Sequence, residues 1–184
     1  MSTLRNITDE ELQLILSDHK LWLEDKDKGK RANLQAVDLK CVDLAHENLK
    51  DADFSYANLK SADFESANLE GANLEGADLM GAYLNIANLE DANLKGANLK
   101  NANLNFANLN FANLKGATLE YASLTSADLR GADLRNSNLS YTDLENANFT
   151  GAYLKGANLN YAKFWDAILH DVNLTDHVGI KLNN

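Results

Sequence analysis

The chain has 184 residues, 27 acidic against 17 basic side chains and a formal charge of −10, a balance that predicts a soluble protein avoiding nucleic acid and anionic membrane. Its single cysteine, Cys41, excludes an intrachain disulfide and fits a reducing compartment. Met1 to Asn6 contain no apolar signal core and no run approaches the length of a membrane span, so the expected location is the cytoplasm.

Residues 1–30 read as a helical cap and loop. Leu12, Ile15, Leu16, Trp22 and Leu23 follow the i, i+3, i+4 spacing of an amphipathic helix. Thr8 with Glu11 makes a capping-box pattern, and Ile7 with Leu12 makes the matching hydrophobic staple. Asp9, Glu10 and Glu11 sit favourably against the helix dipole. Glu24 to Lys30, with Gly29, reads as the loop that ends the helix. A docking element for a membrane or a partner is one reading of this helix. The better one is a cap, because a repeat array needs its terminal layer covered. Trp22 and His19 are then expected on the first layer, His19 as a packed or partly wet side chain and not a ligand.

Residues 31–176 carry a five-residue beat. A central Leu or Phe recurs at 29 consecutive fifth positions from Leu34 to Leu174, usually preceded by Ala and then Asn or Asp. Five fits neither the strand period of two nor the helical 3.6. Each unit is therefore expected to be a short extended piece plus a corner, with Leu and Ala inward. Asn and Asp are expected at the corners, since they tolerate unusual backbone angles and bond nearby backbone. The chain has no proline, which leaves every backbone N–H available.

This unbroken A-[N/D]-L-x-x pattern, over about four fifths of the chain, resembles the pentapeptide-repeat family. The stretch around Trp22, Gly29 and Arg31-Ala32-Asn33-Leu34 is also similar to an N-terminal lead-in found in that family. The resemblance implies an all-β solenoid: a right-handed quadrilateral β-helix of about seven coils of about 20 residues each. Tyr121, Tyr141 and Tyr161 recur at that spacing, as do Gly76, Gly96, Gly116 and Gly156. A rival spacing of 15 picks out Lys100, Lys115 and Arg130. The implied rod is about 35 Å long.

Departures from the beat mark where function would sit. Phe54, Phe64, Phe149 and Phe164 replace Leu toward the two ends and are expected to plug them. Val37, Val42 and Val172 enlarge Ala positions there too. Glu47 occupies an inward Ala position, which requires water or a basic partner such as Arg31. Ser137 and Thr142 are expected to bond locally, while Tyr83, Tyr153, Lys163 and Ile168 replace the usual Asn or Asp. His46, His170 and His177 lie near acids such as Asp171 and Asp176, without a metal-ligand spacing. The array glycines share one repeat position and form no phosphate-cradling motif. No catalytic, metal or cofactor site is expected.

Two surface groups stand out. In a four-sided coil, Ile86 and Phe106 share a corner, with Phe111 on the next corner and Tyr83 on an adjacent side. These four are candidate protein-binding residues, unless corner aromatics merely stack along the rod as Tyr121, Tyr141 and Tyr161 would. Lys95, Lys115, Arg135 and Lys155 form a candidate basic column, either an anion contact or a face screened by neighbouring acids. Residues 177–184 form a tail in which Val178 to Leu182 alternate, expected to cap the last coil or to pair with a second copy. The protein is then a monomer or a tail-mediated dimer.

The function expected is a non-enzymatic scaffold that binds an unknown protein partner. Two alternatives stand beside it. In the quinolone-resistance type that the resemblance includes, such rods mimic DNA and bind a type II topoisomerase such as gyrase. Residues 32–184 hold 20 acidic and 11 basic groups, about half the charge density of a duplex over that length, and the chain has no loop insertion. The other alternative is a structural protein assembling end to end.

Overall fold

The computed structural model describes residues 4–179. Helix α1 runs Asp9–Glu24, and its start follows the local chemistry. The Thr8 hydroxyl accepts from the Glu11 N–H and the Glu11 carboxylate accepts from the Thr8 N–H, each at 3.2 Å. After the helix, Gly29 turns the chain back at φ +67, so close that a Cβ there would lie 2.1 Å from the Asp18 carbonyl oxygen. The Lys30 N–H then donates to that same carbonyl at 3.1 Å. Leu12 and His19 are buried, and Ile7, Ile15 and Leu16 pack against the core of the array.

The array pairs with itself in parallel at a register of 20, from Asn33↔Asp53 to Asn158↔Val178. Each bridge is a single residue between two corners, so no extended strand develops. The spacing of 15 is not used. One pentad, Asn103 to Ala107, shows the bonding. The Leu104 N–H donates forward to Ser123 O (2.7 Å), and the Asn103 N–H donates back to Ala82 O (2.9 Å). The Phe106 N–H reaches Thr125 O (3.0 Å), and Ala107 N–H to Leu104 O (3.1 Å) closes the corner. The fifth donor, the Asn105 N–H, goes to the Asn103 side-chain oxygen at 3.1 Å. Every N–H of the unit is used, which is why proline has no place in it.

This bonding corrects the expectation for Asn and Asp. They occupy the sides, not the corners. Their Oδ1 stands in for a missing backbone acceptor, and Asn Nδ2 also donates to the side chain one coil earlier, as Asn108 does to Asn88 at 2.9 Å. The corner residue is instead the second after Leu. It has positive φ at every fifth position from Ala36 to Asp176, as the third residue of a type II turn requires. Tyr83, Tyr153, Lys163 and Ile168 keep their bridges, which use backbone alone, and forgo the side-chain bond.

The inward Leu and Ala columns are buried throughout the middle of the array, each Leu contributing roughly 1.5–3 kcal/mol. Phe54 meets Phe64 edge-on at 5.8 Å, and Phe149 meets Phe164 at 6.1 Å, one pair toward each end. The buried Ser137 and Thr142 hydroxyls donate to the carbonyls of Leu134 and Leu139. Glu47 is exposed, and neither it nor Arg31 forms an ion pair among the described residues. Its exposure to solvent, and not a pairing with Arg31, is what makes the position tolerable. At the far end Phe164, Leu169, Val172 and Leu174 are only partly buried. Val178 still pairs with Asn158, whereas Ile180 to Leu182 of the predicted tail lie outside the described residues.

Candidate functional site

The corners carry the variable chemistry, because the left-handed residue at each one projects outward. These side chains share one lean. A Cβ built on Gly76 would lie 2.7 Å from the Tyr56 ring, one on Gly131 2.6 Å from the Phe111 ring, and one on Gly156 2.4 Å from the Asn136 amide oxygen. In each case the covering residue is 20 positions earlier, so corner side chains lie over the coil that follows.

Of the four predicted contact residues, Tyr83 is 52% exposed, Ile86 57%, Phe106 62% and Phe111 64%. Ile86 and Phe106 share a corner one coil apart, and the Ile86 N–H donates to Asn105 O at 2.9 Å. Phe111 stands on the next corner, but its ring turns along its own column onto Gly131. Tyr83 lies at a bridge position, paired with Asp63 and Asn103. The group shares one region of the rod without ring-on-ring contact. By contrast, Tyr121, Tyr141 and Tyr161 stack at 4.8 Å with interplanar angles of 13–14°. Lys100 lies 5.5 Å from the Tyr121 ring and pairs with Glu120 at 2.7 Å.

The basic column is largely screened. Lys95 pairs with Glu75 at 3.0 Å, Arg135 with Asp133 at 2.5 Å, and Lys155 more loosely with Asp176 at 3.8 Å. The hydrogen bond that Lys95 donates to Glu75, and then the Glu75 charge, raises the Lys95 ammonium pKa. The Arg135 hydrogen bond leads the effects that lower Asp133. Lys115 alone in the column has no ion pair among the described residues.

His19 is packed against the first coil, as expected for the cap. It is 1% exposed, stacks on Trp22 at 5.6 Å, and its Nδ1 accepts from the Ala32 N–H at 3.1 Å. Its Nε2 is buried with no hydrogen-bond partner among the described residues. Burial lowers its pKa, the charges of Lys26 and Arg31 lower it further, and Asp51 opposes them. His19 therefore joins α1 to the first coil. Sequence reasoning missed a groove beside Lys95 and Lys115, about 410 Å³ in volume, with Tyr56, Gly96, Gly116 and Asn136 around it. Its signal was present in the 20-residue spacing of the glycines. Among the described residues no three His, Cys, Asp or Glu side chains gather in a metal-holding group, and no helix is long and apolar enough to cross a membrane.

A parallel stack of five-residue units with buried Leu and Ala columns is a β-solenoid. The family described as "Pentapeptide repeats" matches residues 30–71, 48–85, 82–120, 97–136, 112–151 and 137–176, and the chain belongs to that family, whose members form right-handed quadrilateral β-helices. Among solved structures it is similar to a pentapeptide repeat protein from the Arabidopsis thaliana thylakoid lumen. The identity is 36% over 53% of this chain and 68% of the other, with a TM-score of 0.53. It is also similar to HetL of Nostoc sp. strain PCC 7120, a pentapeptide repeat protein involved in heterocyst differentiation regulation. There the identity is 30%, over 82% of this chain and 84% of HetL, with a TM-score of 0.32. QnrB1, a plasmid-mediated fluoroquinolone resistance protein, shares 19% identity over 78% of this chain and 83% of its own, with a TM-score of 0.38. No match was found among curated proteins.

Proposed function

We propose that this protein is a non-enzymatic cytoplasmic scaffold: a β-helix of about seven coils, closed at one end by α1, that docks a protein partner on its mid-rod corners. The observation that carries the reading is the exposure of Ile86, Phe106 and Phe111, three large apolar side chains on neighbouring mid-rod corners that each remain more than half exposed. Burial within the chain does not account for them, and exposed apolar groups gathered in this way are what a protein partner covers.

Duplex mimicry fits less well, because the row from Lys95 to Lys155 interrupts the negative surface. The test is a pull-down from host lysate with wild type and the double variant Phe106→Asp, Phe111→Asp side by side, read by mass spectrometry. We expect a partner that is retained by wild type and lost by the variant, with the two thermal melts matching because neither side chain is in the core. A partner retained equally by both would overturn the assignment of this surface.

A further inference from the structure

We propose that the groove over Gly96 and Gly116 seats an aromatic side chain of a partner protein, steered there by an acidic residue of the same segment that pairs with Lys115. The inference rests on reading the rod as an interaction module. It adds a second contact point, on a different corner from the Phe106 surface, with its own chemistry.

The groove follows from the common lean of the corner side chains. Gly76 has no side chain to lay over Gly96, and Gly96 has none to lay over Gly116. A Cβ built at Gly96 or at Gly116 would meet no atom within 4 Å. At this one corner two successive coils thereby present bare backbone. The Tyr56 ring lies over Gly76 on one side, Asn136 stands on the other, and Lys115 and the Lys95–Glu75 pair form the flank. The wall is mostly carbon, which suits an apolar ligand face.

The chain itself shows what such a corner accepts. At Gly76 and Gly131 the glycine backbone is covered in van der Waals contact by an aromatic ring, from Tyr56 and Phe111 respectively. The same backbone, with φ +66 at Gly96 and +69 at Gly116, has no ring of its own chain in reach. A ring seated there would come from another molecule. Charge selects which one. Lys115 is the cation of the row without an ion pair among the described residues, so a carboxylate beside the incoming ring completes it. Aromatic rings flanked by phosphates would match the same elements. However, the net charge of −10 disfavours a polyanion running along the rod, so the occupant is a short segment that reaches Lys115 alone.

The experiment titrates the labelled full chain with a capped peptide, Asp-Glu-Tyr-Glu-Asp, and follows amide chemical shifts. We expect saturable shifts at Gly96 and Gly116, with Gly151, a bare corner on another column, unmoved. Replacing the peptide tyrosine by alanine should weaken binding about fivefold, and a Lys-Lys-Tyr-Lys-Lys peptide should not bind. Two variants should each abolish the shifts. Lys115→Glu reverses the steering charge. Gly96→Phe places a ring over Gly116 from the chain itself, as Phe111 does over Gly131. Should Gly96→Phe fail to fold, Lys115→Glu, a surface change, still decides the matter. Equal binding by the alanine peptide, no saturable shift at Gly96 and Gly116, or stronger binding by an oligothymidylate would each overturn the proposal. The double Asp variant at Phe106 and Phe111 should titrate like wild type. Loss of a lysate partner by that variant, together with a silent groove, would sink the groove and leave the interaction module standing.

Discussion

Replacing Asn93 tests what the Asn of each repeat does. Its Oδ1 accepts from the Lys95 N–H at 3.3 Å and from Asn113 Nδ2 at 3.1 Å. Its Nδ2 donates to Asn73 Oδ1 at 3.0 Å and to a Glu75 carboxylate oxygen at 3.3 Å. Alanine removes all of these and leaves the Lys95 N–H without a partner. At about 0.5–1.5 kcal/mol net per bond, and toward the low end because the site is only half-buried, the loss should be about 2–3 kcal/mol. Glycine discriminates further. At a left-handed corner it would be neutral or favourable, whereas at a bridge position it should cost roughly 0.5–1 kcal/mol more than alanine. Aspartate keeps the Oδ1 acceptor but loses both donations and faces Glu75, so it should also destabilise. Urea denaturation of the three variants gives the order. An alanine variant within about 0.5 kcal/mol of wild type, or a glycine variant more stable than the alanine one, would refute the assignment of Asn to the sides.

Two further outcomes follow from the core and the cap. Leu104 is wholly buried mid-array, so Leu104→Ala should cost about 2–5 kcal/mol, and Leu104→Asp should unfold the array; a melt near that of wild type would be incompatible with the 20-residue coil. The fold holds His19 neutral, chiefly through burial, with its pKa below the ordinary value. The unfolded chain therefore takes up the proton first as pH falls below about 6.5, and the His19 contribution, complete above that pH, is lost on acidification. His19→Gln should flatten this dependence, and protection of the Ala32 amide from hydrogen exchange should fall with pH in wild type but not in the variant; identical pH profiles would remove His19 from the account.

Much of the fold is legible in the sequence because the repeat is strictly local. Leu at every fifth position with Ala two before it defines an inward face. The Thr8 and Glu11 pair marks the helix start without reference to anything distant, since capping groups act within one turn. The equal spacing of Tyr121, Tyr141 and Tyr161 even anticipates the stack they form. What the sequence left open are relations between residues 20 apart. The choice between a register of 20 and one of 15 rests on which carbonyl each Leu N–H meets, and both pair cations in the same column. The position of Asn within the unit depends on where the fifth N–H finds an acceptor, which propensity alone assigned to the wrong place. The direction in which corner side chains lean is a property of the stacked coils. It alone turns Gly96 and Gly116 from turn residues into the floor of a groove, and it lays the Phe111 ring over Gly131. Local spacing determined the unit, and the stacking of one coil on the next decided which surfaces the unit exposes.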